Sequence, residues 1–308
     1  MRLPNFFIIG APKCGTTSLV NWLSEHPNVY MSPLKEPRYF DRDLKIHARI
    51  SKEAYMALFK GAREQHLAIG EATVWYLYSR EAVPNIEREI PGARYIVLVR
   101  NPVDMAYALH EQLSLNGAEP IRDFAKAWEM SPIRGRGRGV HGVFLSEPRL
   151  LDYQSVCRLG DQIERLFSLV PRERILVLVL DDIRDNPRRE YLKVLEFLGV
   201  PDDGRENFPV QNPAKQVRSY VLQKIITLGM KGERVVKERL GLAPVNSTFF
   251  KTLNTWNKVA RPRPPLPAEL RAQMEAYFAP DVLKLSRLLG RDFSHWFRTG
   301  SLDEGKEV

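Results

Sequence analysis

Residues 6–19, running from Phe6-Phe7-Ile8-Ile9 through Gly10-Ala11-Pro12-Lys13-Cys14-Gly15 to Thr16-Thr17-Ser18-Leu19, restrict the fold of this chain more than any other stretch. The four apolar residues read as a strand, the two glycines bound a tight loop, and Thr16 opens a helix. Leu19, Trp22, Leu23 and His26 recur along that helix at the spacing of a face packed on a sheet. A helix start leaves unpaired backbone N–H groups and a partial positive charge of roughly half a unit, so a loop of this shape forms a pocket for an anion. A lysine and three hydroxyls gathered at the same place point to a phosphate or a group shaped like one. The plain alternative is a glycine-bounded turn that holds nothing.

The remaining apolar runs agree with a parallel sheet. Tyr95 to Val99 and Ile175 to Leu180 are continuously apolar and alternate with amphipathic segments, the pattern of an α/β fold whose P-loop-like parallel sheet is covered by helices on both faces. A chain of 308 residues with 44% hydrophobic content can enclose a site, and no linker or repeat divides it, so residues 1–308 read as a single domain. The net charge of +9 suits a polyanionic cofactor, an acidic acceptor, nucleic acid or an anionic membrane face, and charge does not choose among them. Two cysteines far apart in sequence, Cys14 and Cys157, indicate neither a disulfide framework nor a metal site. With no signal segment and no apolar run long enough to span a membrane, the expected location is the cytoplasm.

The loop has the spacing of G-x-x-x-x-G, yet Thr16-Thr17 stands where a nucleoside triphosphatase needs Lys-Ser or Lys-Thr. The lysine lies inside the loop, at position 13. Further on come Lys35-Glu36-Pro37-Arg38-Tyr39-Phe40, then Ile69-Gly70-Glu71-Ala72-Thr73-Val74-Trp75-Tyr76-Leu77. A strand ending in Val99-Arg100 follows, and Asn101-Pro102-Val103-Asp104 suits the cap and first turn of a helix. In this order the segments resemble the PAPS-dependent sulfotransferase family (PAPS is 3′-phosphoadenosine 5′-phosphosulfate), in its carbohydrate and heparan-sulfate-like branch.

The resemblance implies a set of roles. Lys13, Cys14, Gly15, Thr16, Thr17 and Ser18 would form the 5′-phosphosulfate loop, and Arg100 would hold the 3′-phosphate. Glu36 would be the general base, with Lys35 beside the transferring group; His110 is the second candidate for the base. The reaction implied is in-line transfer of a sulfuryl group to a hydroxyl or amine of a small-molecule or saccharide acceptor. No metal ion and no stably bound nucleic acid are expected. Three departures stand out: Ala108 replaces the serine usual eight residues after the arginine, Met105 replaces a frequent arginine, and Arg38 takes a position that is often histidine. Tyr107, a later residue or water could replace the missing serine's hydrogen bond. Glu71 reads as structural, and Trp75 and Tyr76 read equally as core or as acceptor pocket.

Other segments are less specific. Residues 52–66 read as a helix, and Val156 to Val170 as another. The alternating Arg-Gly run within 131–148 reads as a mobile basic loop, either lying over an anionic ligand or simply solvated. Lys215, Arg218 and Ser219 could reach a 3′-phosphate, with solvation the simpler reading. Residues 240–265 read as loops and 300–308 as a frayed tail. Two other classes remain consistent with the sequence: a P-loop phosphotransferase, and a nucleotide- or nucleic-acid-binding protein without catalysis.

Overall fold

The most apolar runs of the chain become its central strands. In the computed structural model β1 (Phe6–Gly10), β2 (Val29–Met31), β3 (Ala68–Ala72), β4 (Arg94–Val99) and β5 (Ile175–Val179) form a five-stranded parallel sheet of order β2-β3-β1-β4-β5. The structure describes residues 2–45, 50–138, 147–209, 215–219, 222, 225–230, 232–233, 248–260 and 264–297. Every residue of β1 is buried, as expected of a central parallel strand covered on both faces. Phe6 lies between Gly70 and Arg94 in register. Its ring fills the space above Gly70, where an added Cβ would come within 2.2 Å of Phe6 Cζ, so residue 70 has no room for a side chain. At the edge, the first three residues of β5 are only half-buried.

The helices follow from the strand order. The connection β1 to β2 through α1 (Thr16–Ser24) crosses β3 in one direction; after α2 (Lys52–Ala57), the connection β3 to β4 through α3 (Ala82–Glu89) crosses β1 in the other. Right-handed crossovers therefore put α1 and α3 on opposite faces of the sheet. Beyond β4 the chain forms α4 (Pro102–Leu115), α5 (Phe124–Glu129), α6 (Ser131–Gly135), α7 (Tyr153–Val156) and α8 (Leu159–Leu169) before β5, then α9 (Leu180–Asp185) and α10 (Pro187–Leu198). β6 (Lys215–Val217) and β7 (Lys258–Ala260) make a separate antiparallel pair, preceded at β7 by α11 (Thr248–Trp256). The long C-terminal α12 (Ala268–Leu289) docks on α8, where the Asp281 carboxylate accepts from the amides of Gly160 and Asp161 at 2.8 and 2.9 Å. Among the described residues no helix is long and apolar enough to cross a membrane.

Several local expectations change. The helix expected over 52–66 stops at Ala57. The one expected over Val156 to Val170 is broken at Cys157-Arg158 into α7 and α8. The stretch 240–265, read as loops, contains α11 and β7. The Arg-Gly run is corrected most strongly: Ser131–Gly135 is helical and Arg134 is 1% exposed, because Glu119 receives its guanidinium through two bonds of 2.6 and 3.1 Å. A paired guanidinium can be buried where an unpaired one cannot. Residues 139–146 of that run, and the tail 300–308, lie outside the described residues.

Candidate active site

The loop between β1 and α1 lies at the carboxyl ends of β1, β3 and β4, the edge where open parallel sheets bind ligands. Gly15 takes φ +94°, a left-handed turn that suits glycine, and an added Cβ would also meet Leu180 Cδ1 at 2.9 Å. Gly15 is the N-cap of α1, with no side-chain cap and no acidic residue in the first turn. That leaves the helix start suited to an external anion. Lys13, Gly15 and Thr17 are half-exposed, whereas Thr16 and Ser18 are buried.

Cys14 does not face this pocket with its side chain. The thiol is fully buried, donates to the Pro12 carbonyl at 3.5 Å and lies 3.9 Å from Met105 Sδ. Burial pushes it up to about 12, which makes it an inert packing group. Met105, an arginine position by the resemblance, is thus a core partner of the loop.

Two lysines and an arginine converge on the loop. Arg100, at the end of β4, donates from Nη1 to the main-chain carbonyl of Lys13 at 3.1 Å. Lys13 Nζ donates to Gln112 Oε1 at 3.2 Å, and Gln112 Nε2 in turn donates to Asn116 Oδ1 at 3.2 Å. Lys35 Nζ donates to Thr17 Oγ1 at 2.5 Å, placing a second ammonium at the α1 start. Burial pulls the Lys35 pKa down, opposed by the neighbouring Glu36. Helix α4 begins as its sequence indicates: Asn101 Oδ1 accepts from the Val103 amide at 2.9 Å, with Pro102 at the first position.

Glu36 stands on the segment after β2, held by its own amide, which donates to the Ala72 carbonyl at the end of β3 at 2.9 Å. Its carboxylate pairs with Arg38 at 2.9 Å and keeps 28% of its side-chain surface exposed. Among the described residues the non-glycine positions with positive φ are Lys13, Glu36 and Arg38, at 63°, 59° and 55°. Left-handed backbone costs an L-residue about 1–2 kcal/mol and gathers at working sites. Here it falls on residues chosen from sequence as loop lysine and base.

Other candidates go elsewhere. His110 is 4% exposed, with Nε2 against the Ile121 carbonyl at 2.8 Å and its ring among Phe124 and Tyr153. Burial lowers its pKa and closes the ring off in the core, away from an acceptor molecule. Tyr107 stacks on Phe124 at 5.0 Å. Arg218 lies over the Trp256 ring and the Ser219 amide donates to Asn257 Oδ1 at 3.0 Å; Lys215 is in β6. Trp75 and Tyr76 are both buried, and Tyr76 Oη accepts from the amides of Tyr39 and Phe40 at 3.1 and 3.3 Å. Glu71 is wholly buried beside Tyr76 and Tyr55, and burial pushes its carboxyl up to about 8.

Gln112 is a site residue that the motif comparison passes over. It lies one helical turn beyond Ala108, on the same face of α4, so the polar side chain sought at 108 appears four residues later. That periodicity was the available signal.

The Sulfotransferase domain family profile matches residues 3–240. The chain is 26% identical to human carbohydrate sulfotransferase 15 over 280 residues, covering 70% of this chain and 47% of that protein. It is 24% identical to the Bos taurus bifunctional heparan sulfate N-deacetylase/N-sulfotransferase 2 over 303 residues, 94% of this chain and 30% of that one. The chain spans about half the length, or less, of these curated relatives. A crystal structure of a sulfotransferase from Alicyclobacillus acidocaldarius superposes with a TM-score of 0.69 at 26% identity, covering 96% of this chain and 99% of that one.

Proposed function

The chain belongs to the sulfotransferase domain family, and we infer that it transfers a sulfuryl group from PAPS to a hydroxyl or amine of a small-molecule or saccharide acceptor. The observation that carries this reading is the junction of Arg100 with Lys13 at 3.1 Å beside the uncapped start of α1. It puts two cationic side chains and a set of helix amides along one edge, a donor set matched to the two separated phosphate groups of a 3′,5′-substituted nucleoside. When bound there, PAPS supplies the sulfuryl group and leaves as adenosine 3′,5′-bisphosphate.

The chain's own residues divide the remaining work. Lys13 and the first-turn amides of α1 stabilise negative charge that grows on the leaving phosphate, and Lys35, bonded to Thr17, adds a second cation there. Glu36 receives the acceptor's proton; a positioned carboxylate contributes about 10²- to 10⁴-fold to such a step. Arg38 fixes the rotamer of Glu36. Arg100 orients the nucleoside by its 3′-phosphate, the bidentate task for which guanidinium is suited. Residues 1–308 act as one domain in this reading. Its placement in a reducing cytoplasm is part of the same proposal, supported by two buried, unbridged cysteines.

Calorimetric titration with adenosine 3′,5′-bisphosphate, beside ATP with magnesium, tests the donor assignment. Binding of the bisphosphate that is lost in Lys13→Ala and Arg100→Ala is the expected result. Magnesium-dependent ATP turnover with no bisphosphate binding would replace sulfuryl transfer by phosphoryl transfer.

A further inference from the structure

The segment that leaves β6 and returns through β7 differs from the rest of the chain in both charge and exposure. Residues 215–263 hold eleven lysines and arginines against two glutamates, an excess equal to the +9 of the whole protein, so the remaining residues are electrically balanced. Lys215 and Lys258 stand in β6 and β7, Lys251 in α11, and Arg218 directly follows β6. The same segment carries the three most exposed large apolar side chains among the described residues: Phe249 at 68%, Ile225 at 57% and Trp256 at 56%.

Their placement is ordered. Residues 225–230 are helical; Ile226 is buried, while Ile225 and Leu228, three residues apart on one side, are exposed. In α11 Phe249 and Trp256 are seven residues apart, about two turns, and share a face. The two helical pieces touch: a Cβ added to Gly229 would come within 2.4 Å of the Phe250 ring, and Phe249 lies edge-on to Phe250 at 5.4 Å. Hydrogen bonds fix the base of the unit. The Arg218 amide donates to the Asn257 carbonyl at 2.8 Å, and the buried Asn257 side chain donates to the Ser219 carbonyl at 2.9 Å while accepting from the Ser219 amide at 3.0 Å. Above it the Arg218 guanidinium lies 5.1 Å from the centre of the Trp256 ring, a cation held against an exposed indole.

Charge and apolar exposure together select the partner. A second copy of this chain would bring one block of positive charge against another, a repelled contact. A nucleic acid would answer the cations and leave Ile225 and Leu228 facing phosphate and water. An anionic bilayer answers both, because its headgroups take lysine and arginine while aliphatic and aromatic side chains enter the boundary with the acyl chains and tryptophan stays at headgroup level. We propose that the face made by Ile225, Leu228, Phe249 and Trp256 docks this protein on a membrane surface bearing anionic lipid, drawn there by the positive charge around it. The docking does not depend on the sulfuryl-transfer reading.

The test is flotation of the full chain with unilamellar vesicles of phosphatidylcholine, alone or mixed with phosphatidylglycerol. The protein should float with the mixed vesicles at about 0.1 M salt and bind phosphatidylcholine alone about tenfold more weakly or worse. Raising the salt to about 1 M, where the Debye length falls to about 3 Å, should weaken the mixed-vesicle binding to a similar degree. Ile225→Ser and Phe249→Ser, both at exposed positions, should each weaken it about tenfold with an unchanged melting midpoint, the loss expected for one inserted apolar side chain. Failure to float with mixed vesicles, equal binding to the two vesicle types, or mixed-vesicle binding unchanged in the double variant would overturn the proposal. Binding of a single-stranded RNA that the two variants abolish, or a dimer in sedimentation that they dissociate, would assign the face to nucleic acid or to a second copy instead.

Discussion

Arg100 and Lys13, 87 residues apart in sequence, are joined at 3.1 Å through the guanidinium of one and the backbone carbonyl of the other. The strand end that should read a 3′-phosphate therefore also shapes the loop that should read the 5′ group. Arg100→Ala removes a charged ligand contact and releases the loop at once, so its cost should exceed that of Lys13→Ala. A charge-assisted hydrogen bond is worth about 1.5–3 kcal/mol, which sets the expected weakening of adenosine 3′,5′-bisphosphate at roughly 10- to 100-fold for Lys13→Ala and more for Arg100→Ala. Calorimetry on the two variants checks the ranking, and equal losses would show that the junction carries no coupling.

Glu36→Gln keeps the shape of the side chain and removes its capacity to accept a proton. Bisphosphate affinity should stay within about twofold, while the single-turnover rate of transfer from PAPS should fall by about 10²- to 10⁴-fold. A variant that transfers at the wild-type rate would remove Glu36 from the role of base.

Glu71 gives a pH dependence of opposite sense to that of most carboxylates. Its folded-state pKa, raised to about 8 by burial, stands above the usual value of 4.5 that it regains on unfolding. The folded protein thus holds the proton more tightly, and the stability this provides is whole below about pH 4.5 and is lost as pH rises through about 8. Glu71→Gln should flatten the fall in urea midpoint between pH 5 and pH 9. A slope identical to wild type would mean that the carboxyl is ionised in the fold at neutral pH.

The pair Arg134 and Glu119 should be costly to break from one side. Glu119 also accepts from Tyr153 Oη at 2.7 Å and from the Ile121 amide at 2.7 Å, and both charged side chains are almost fully buried. Arg134→Met leaves a buried carboxylate without its counter-charge, a loss of about 3–5 kcal/mol by chemical denaturation. Adding Glu119→Gln to that variant should recover part of it, since the stranded charge is then gone.

The contrast between Arg100 and Arg134 shows what sequence can and cannot convey here. Arg100 closes an apolar run and precedes Asn-Pro, so its place at a strand end and helix start is written in its immediate neighbours. The same holds for Lys13 between two glycines and for Glu36 in its short motif. Arg134 sits in a glycine-rich tract whose composition argues for solvent, and only a carboxylate fifteen residues upstream, brought close by the fold, buries it. His110 errs in the other sense: its residue type suggests chemistry, and the aromatic neighbours that remove it from solvent come from α5 and α7. Gln112 could have been found by continuing one turn past Ala108, whereas the donation from the Arg165 guanidinium to the Leu77 carbonyl has no local signature.

The C-terminal turn bears on how this protein should be handled. Asn101 Nδ2 donates to the Trp296 carbonyl at 2.5 Å, and the Trp296 indole donates to Asp181 at 2.8 Å, so one residue near the chain's end clasps the cap of α4 and the start of α9. Shortening the polypeptide at Gly290, or anchoring it to a solid support through a graft at 296, would unfasten that clasp beside Arg100. Affinity handles and immobilisation chemistry belong at the amino end, where β1 is held in the sheet on both sides.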